Sequence, residues 1–110
     1  MRILEKIEIV NGEPGPTINL GVSGVNSLIG YSCKMCVLNT HGKEIVAKRD
    51  VTQVSIEEGK ELFTITLSAL DTEMLSGDLF YIWKIEITND MVYYNDETRI
   101  GIVVSKKNDI

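Results

Sequence analysis

Cys33 and Cys36 form a C-x-x-C motif, a spacing used for redox and metal chemistry. They fall within a predicted strand, on which residues three apart point to opposite faces with Cα atoms about 10 Å apart. A disulfide requires Cα atoms within about 7 Å, and redox motifs of this type open a helix, which is not predicted here. We therefore interpret Cys33 as a small buried apolar residue and Cys36 as an incidental thiol, with metal or redox use as the less favoured alternative.

The other side chains suited to acid–base or metal chemistry are scattered over predicted turns. His41 is the single histidine of the chain, so a zinc site would lack ligands. The carboxylates cluster without the D-x-D-x-D-G spacing of a calcium loop, at Glu57/Glu58, Asp71/Glu73, Asp90 and Asp96/Glu97. We favour solvated turn residues over a calcium site gathered from several loops. The sequence thus predicts no catalytic, metal-binding or cofactor-binding residue, and a protein that is not an enzyme.

Length and composition indicate one globular domain that spans residues 1–110. The chain is 44% apolar and 25% charged, which is ordinary for a folded domain. Its net charge of −5, with no clustered basic face, argues against nucleic acid as a partner. No apolar run has the length of a signal peptide or of a membrane span. We expect a complete, soluble cytoplasmic protein that is neither exported by a signal peptide nor bound to membranes.

Alternation of apolar and polar residues, the pattern of a strand with one buried face, is strongest between residues 63 and 87. A helical turn near 71–76 interrupts it. The positions predicted to face the core are Phe63, Ile65, Leu67, Leu79, Tyr81, Trp83, Ile85 and Ile87.

Weaker alternation predicts further strands at 3–10, 17–23 and 29–38, with Ile29 and Tyr31 on the core face of the last. One or two strands are expected within 43–56. A two-residue turn at Asn89-Asp90 leads into a strand at 91–94, a polar turn at 95–97 and a final strand near 100–104, after which residues 106–110 fray. Seven to nine short strands without a long helix predict an all-β fold, an antiparallel β-sandwich.

Phe80 and Ile82 interrupt this pattern, because they point outward if Tyr81 and Trp83 face the core. An exposed apolar pair on a central strand marks a surface that something covers. We leave two explanations open: a loop of the same chain or a local twist of the strand accounts for the pair, or the pair belongs to an interface with another subunit or partner.

The pattern F-x-I-x-L-x-x-x-D-T-x-x-L-x-x-G, followed by Y-x-W-x-I-x-I, resembles bacteriophage Ig-like β-sandwich domains of virion, tail and baseplate proteins, including the N-terminal domain of baseplate upper proteins. Looser similarity extends to Leu28, Gly30, Tyr31 and Gly42. The residues that carry the main match are Phe63, Ile65, Leu67, Asp71, Thr72, Leu75, Gly77, Tyr81, Trp83, Ile85 and Ile87. In physical terms we expect Asp71 to cap a one-turn helix, Leu75 to plug the end of the sandwich, and Gly77 to return the chain.

The resemblance implies a non-enzymatic phage or prophage structural protein that acts through protein–protein contacts, in the virion or the cytoplasm of a bacterial host. Its partners would be other structural proteins or further copies of itself, as a homo-oligomer. Phe80 and Ile82 are the interface candidates. The alternative is an Ig-like module that binds a carbohydrate or another ligand, for which Tyr93 and Tyr94 are the candidate residues.

Overall fold

The structure is a computed structural model that describes residues 2–76 and 80–105. These residues contain eight strands and one short helix. The elements in chain order are β1 Arg2–Val10, β2 Thr17–Leu20, β3 Ser32–Leu38, β4 Glu44–Val51, β5 Val54–Glu57, β6 Lys60–Thr66, α1 Ala69–Glu73, β7 Phe80–Asn89 and β8 Tyr94–Ser105. The predicted all-β class and strand number are confirmed for these residues.

The strands form two sheets, one of five strands in the order β1-β8-β7-β3-β4 and one of three in the order β2-β6-β5. All pairs are antiparallel except β1 with β8, which is parallel. The prediction of a wholly antiparallel fold was therefore wrong at this edge. Six strands separate β1 from β8 along the chain, so no hairpin links the two. A tight turn would require antiparallel pairing, and without one the two strands can pair in parallel.

Residues from both sheets meet in one hydrophobic core, as the alternation predicts. Trp83 is its largest fully buried side chain. In β7 the burial alternates strictly from Tyr81 to Asn89, because successive side chains point to opposite faces. The buried residues predicted for the core include Phe63, Ile65, Leu67, Tyr81, Trp83, Ile85, Ile87, Ile100, Ile102 and Val104.

Two predictions based on alternation fail where a turn replaces the expected strand. Ile29 was expected in the core but is 88% exposed, because a turn closed by the Tyr31 N–H to the Leu28 carbonyl precedes β3. Gly30 in that turn has φ +88°, a conformation that glycine adopts without steric cost. The strand therefore begins at Ser32, three residues later than predicted.

The connection between β7 and β8 is longer than predicted. Asn89 pairs with Tyr94, so the loop comprises residues 90–93, and neither a two-residue turn nor a strand at 91–94 forms. The Asn89 side chain accepts a hydrogen bond from the Met91 N–H, an Asx turn that redirects the chain. Residues 95–97, predicted as a turn, lie within β8.

The helix begins two residues earlier than predicted, and its N-cap is Ser68 instead of Asp71. Ser68 accepts from the Asp71 N–H, and the Asp71 carboxylate accepts from the Ser68 N–H, which makes a reciprocal capping box. Leu75 is fully buried beyond the helix, as predicted. Gly77, predicted to return the chain, Leu79 and the C-terminal residues 106–110 lie outside the described residues.

We call residues 67–76, which include α1 and follow β6, the connector. The loop at residues 11–16 holds this connector in place. The Asn11 amide lies within hydrogen-bonding distance of the carbonyls of Thr72, Glu73 and Leu75, which a helix end leaves unpaired. The Thr72 hydroxyl, fully buried, donates to the Glu13 carbonyl at 2.6 Å. The Gly15 N–H donates to the Leu67 carbonyl at 2.8 Å. The loop and the connector therefore form one packed unit.

Gly15→Ala is expected to lower the free energy of unfolding by about 1–3 kcal/mol, the usual effect of overpacking. A Cβ there would lie 2.7 Å from Leu67 Cβ and 2.9 Å from its carbonyl oxygen, neither of which can rotate away. Gly21→Ala is the control, because its closest contact is the rotatable Leu62 Cδ2. Urea unfolding of both variants measures the difference, and an equal effect would contradict this explanation.

Candidate interaction surfaces

The cysteines do not form a reactive site. Cys33 and Cys36 are free and buried, on opposite faces of β3: Cys33 pairs with core residue Ile87, and Cys36 with Lys84. Burial raises the pKa of the Cys33 thiol to about 12. Burial, assisted by the charge of Glu44, also raises the pKa of Cys36. A thiolate nucleophile is therefore disfavoured at both positions at neutral pH, and the interpretation of Cys33 as a buried apolar residue is confirmed.

A network of ion pairs covers the middle of the outward face of the five-stranded sheet. Lys84 lies 3.1 Å from Glu86 and 3.5 Å from Glu97, while Lys48 binds Glu86 and Arg99 binds Glu97. Burial opposes ionisation of Glu86, but hydrogen bonds from the two lysines outweigh it and lower its pKa. The hydrogen bond from Arg99 lowers the pKa of Glu97. Both carboxylates are thus held ionised at neutral pH, which disfavours a general-acid role for either.

Asp71 differs from the solvated turn residue that the sequence suggested. Its carboxylate is buried and receives two hydrogen bonds of 2.7 Å from the Arg49 guanidinium, a bidentate pair. Arg49 also donates to the Thr66 carbonyl, so it links β4 to the end of β6 and to the helix. Burial alone would raise the pKa of Asp71, but the hydrogen bonds from Arg49 and Ser68 and the charge of Arg49 outweigh it, and the pKa is lowered.

Breaking this pair is expected to destabilise the fold. Asp71→Asn and Arg49→Gln should each lower the free energy of unfolding by about 1–3 kcal/mol, because each leaves a buried polar group poorly paired. The double variant should cost less than the sum of the single variants, since both remove the same interaction. Strict additivity in urea unfolding would show that the pair is not coupled.

Acid should reproduce the loss of this pair. Since the pKa of Asp71 is lower in the folded state, its contribution is complete above about pH 4 and disappears as the pH falls through the folded-state pKa. As the pH is lowered below about 4, Asp71→Asn should therefore lose less stability in urea unfolding than the parent protein does.

Within residues 2–76 and 80–105, no three His, Cys, Asp or Glu side chains are grouped so as to hold a metal ion. Over the same residues, no helix is long and apolar enough to cross a membrane.

Phe80 and Ile82 lie on the outward face of β7, as predicted. Ile82 is half-buried between Leu38 of β3 and Gly101 of β8, while Phe80 is 39% exposed. The β3–β4 turn and Phe80 line a common cleft. The chain therefore borders this pair on one side and leaves Phe80 partly accessible, which agrees with elements of both explanations.

Tyr93 and Tyr94 have different surroundings although they are adjacent. Tyr93 is 96% exposed and has φ +51°, an unusual conformation for a residue with a side chain. The Tyr94 ring packs edge-on against Tyr31 with centroids 5.5 Å apart. Tyr93 alone is therefore a free aromatic platform, and Tyr94 supports the base of the loop.

The three most exposed apolar side chains of the described residues, Tyr93, Ile29 and Met91, lie at this end of the molecule. The loop at 90–93 presents Met91, Val92 and Tyr93 to solvent, and Ile29 projects from the neighbouring turn. The two segments adjoin, since a Cβ on Gly30 would lie 3.2 Å from the Asn89 amide nitrogen. We call these four residues the tip surface.

Sequence reasoning missed most of the tip surface. Ile29 was assigned to the core, and Met91 and Val92 to a strand. The available signal was the position of Met91 and Val92 directly after Asn89-Asp90, since apolar residues inside a turn have no core to enter.

A cleft of about 500 Å³ opens beside the tip surface, between the start of β3, the end of β4 and the β5–β6 hairpin. Its walls are mainly apolar and include Leu28, Ile29, Val51, Val54 and Phe63. Two carboxylates, Asp50 and Glu61, also line it, and no lysine, arginine or histidine does.

No protein-family model matches this chain, and no curated protein is significantly similar to it in sequence.

Proposed function

We propose that this chain is an Ig-like β-sandwich that serves as a non-enzymatic structural module of a phage or prophage particle and acts through protein–protein contacts. Strand order supports the Ig-like part. In an Ig domain the second, fifth and fourth strands belong to one sheet, and the third, sixth and seventh to the other. Here β2-β6-β5 form one sheet and β8-β7-β3 the centre of the other, if β4 is counted as an added strand.

A second feature supports the same architecture. In Ig domains a tyrosine near the start of the sixth strand returns its hydroxyl to the backbone just upstream. Tyr81, the second residue of β7, accepts a hydrogen bond of 2.9 Å from the Ser76 N–H through its hydroxyl. The bond fastens the end of the connector to the sheet.

The tip surface is the observation that carries the assembly role. Its side chains are among the most exposed large apolar groups of the described residues: Tyr93 is 96%, Ile29 88%, Met91 85% and Val92 59% exposed. A clustered exposed apolar patch marks an interaction site more often than scattered apolar residues do. Methionine and tyrosine are also the residue types enriched in protein interfaces. Covering this patch would remove apolar surface from water, which is the main favourable contribution to association.

The resemblance to phage domains supports the biological setting of the proposal. Asp71, Thr72 and Leu75 make structural contacts between the helix, β4 and the loop at residues 11–16, which supports a structural role for the motif that they form. Such a module would work in the virion or be assembled in the cytoplasm of a bacterial host. Its partners would be structural proteins or other copies of itself.

Replacing Met91 and Tyr93 together by serine is expected to abolish self-association without loss of stability. The parent protein should form a dimer or larger oligomer at high concentration, because the exposed patch is buried between copies. Multi-angle light scattering over a concentration series from about 10 to 500 μM measures the mass of each variant.

The matched control replaces Leu70 and Met74, which are exposed on α1 and its C-cap, by serine. It removes two exposed apolar side chains elsewhere on the molecule, so the oligomer should persist. A second variant, Phe80→Asp, tests the pair predicted from the sequence. A parent protein that stays monomeric throughout the series would count against self-assembly. If only Phe80→Asp disrupts the oligomer, the interface lies on the outward face of the five-stranded sheet and not at the tip surface.

Carbohydrate binding is the alternative, and the exposed ring of Tyr93 favours it, because sugars stack on accessible aromatic faces. Saturable binding on a glycan array, lost in Tyr93→Ala and kept in Tyr94→Phe, would favour this function over assembly. Absence of binding to any glycan would remove the alternative.

A further inference from the structure

The outer edge of the three-stranded sheet at β5 is unusually open. Strand β5 pairs only with β6 and lies at the end of the sheet. Val54 lies opposite Phe63, and Ile56 opposite Glu61, so both side chains point to the inner side of the sheet, since directly paired residues share a face. Yet Ile56 is 74% and Val54 43% exposed. The five-stranded sheet therefore does not extend far enough to cover them.

The backbone of the same two residues is also free to pair. Glu58 and Gly59, both at positive φ, form a two-residue hairpin turn closed by Glu57 and Lys60. Hydrogen-bonded and non-hydrogen-bonded pairs alternate along an antiparallel ladder. The closing pair, Glu57 with Lys60, is a hydrogen-bonded pair, so Ile56 with Glu61 and Val54 with Phe63 are non-hydrogen-bonded pairs. The N–H and C=O groups of Val54 and Ile56 therefore point away from β6. The bond from the Thr64 N–H to the Gln53 carbonyl agrees with this alternation.

The charges around this edge are mainly negative. Glu61 lines the adjoining cleft, as does Asp50, which forms a 3.9 Å ion pair with Lys34. Glu57 and Glu58 end the strand, and Lys60 is the one cation between residues 54 and 61. Glu61 accepts a hydrogen bond from the Leu28 N–H, which orients its carboxylate without neutralising it.

Building on the proposed assembly role, we propose that β5 and the cleft beside it receive an extended, basic segment of a different structural protein, added as a fourth strand to the three-stranded sheet. The segment would pair its backbone with Val54 and Ile56, place apolar side chains against theirs, and direct a lysine or arginine toward Glu61. Strand addition of this kind draws affinity from main-chain hydrogen bonds and specificity from alternate side chains.

Charge distinguishes this occupant from a second copy of the chain. Pairing β5 with β5 of another copy would bring two groups of three carboxylates (Glu57, Glu58 and Glu61) toward one another, with Lys60 as the one cation of each group. A basic segment meets the same groups with opposite charge, which favours both encounter and correct register.

The experiment uses the whole protein and a synthetic peptide, acetyl-Lys-Thr-Val-Thr-Val-Thr-Lys-amide, whose lysines and valines share one face. We expect saturable binding by isothermal titration calorimetry, weakened by salt. In NMR spectra, the amides of Val54 and Ile56 should shift and exchange more slowly with solvent. Ile56→Ser should weaken binding about tenfold, as for an interface anchor, and Glu61→Gln about threefold or more.

Two matched variants control for general effects of substitution. Leu70 has the same 74% exposure as Ile56, so Leu70→Ser removes an equally exposed apolar side chain, and Glu73→Gln removes an exposed carboxylate of the helix. Neither should change the affinity. A peptide with glutamates in place of the lysines should bind at least about tenfold more weakly.

Three outcomes would overturn the inference: no saturable binding, equal binding of the acidic peptide, or self-association that doubles the mass and is lost in Ile56→Ser. The serine variant of Met91 and Tyr93 separates this inference from the proposed function. Self-association through the tip surface without peptide binding would overturn only the strand-addition inference. If the protein binds the peptide but never self-associates, the strand-addition inference is supported. Assembly would then depend on the structural protein that supplies the basic segment.

Discussion

The bidentate pair between Arg49 and Asp71 is the interaction on which the arrangement of the two sheets depends. Arg49 belongs to an edge strand of the five-stranded sheet, and Asp71 to the connector that leaves the three-stranded one. The same carboxylate accepts from the Ser68 N–H and so starts the helix. A neutral or unpaired Asp71 would leave a polar group buried without full compensation. One carboxylate therefore positions an edge strand, a helix and the end of β6 together.

The loop at residues 11–16 extends this unit. The Asn11 amide donates to the last carbonyls of the connector, and the Thr72 hydroxyl donates to the Glu13 carbonyl. Gly15 lies too close to Leu67 to carry a side chain. The residues that most resemble a family motif are thus committed to packing. The surfaces free to contact other molecules lie elsewhere, at the tip surface beyond β7 and at the open edge of β5. Both border the same cleft, so two partners, or one extended partner, would meet at one end of the domain.

Prediction from the sequence succeeded where one physical rule governs many residues. The alternation around Trp83 and Ile102 fixed which side chains are buried, because a strand has a period of two and any shift by one residue would expose the entire set. It failed at Ile29 and Met91, where local turns closed by Gly30 and by the Asn89 side chain compete with strand formation. It also misplaced the cap of α1, where Ser68 and Asp71 form a capping box whose S-x-x-D spacing was present in the sequence, because Asp71 was taken for the cap itself.

The sequence by itself determined the strand content, the central core, the connector with its buried Leu75, and the outward placement of Phe80 and Ile82. These follow from local periodicity and from the chemistry of caps and turns. Only the tertiary structure decided that Asp71 is an ion-paired internal residue, that β1 runs parallel to β8, and that the apolar loop end at Met91–Tyr93 and the side chain of Ile56 are exposed. The physical reason is that pairing between distant strands, and the reach of one sheet over the other, depend on contacts between residues far apart in the chain, which no local pattern encodes.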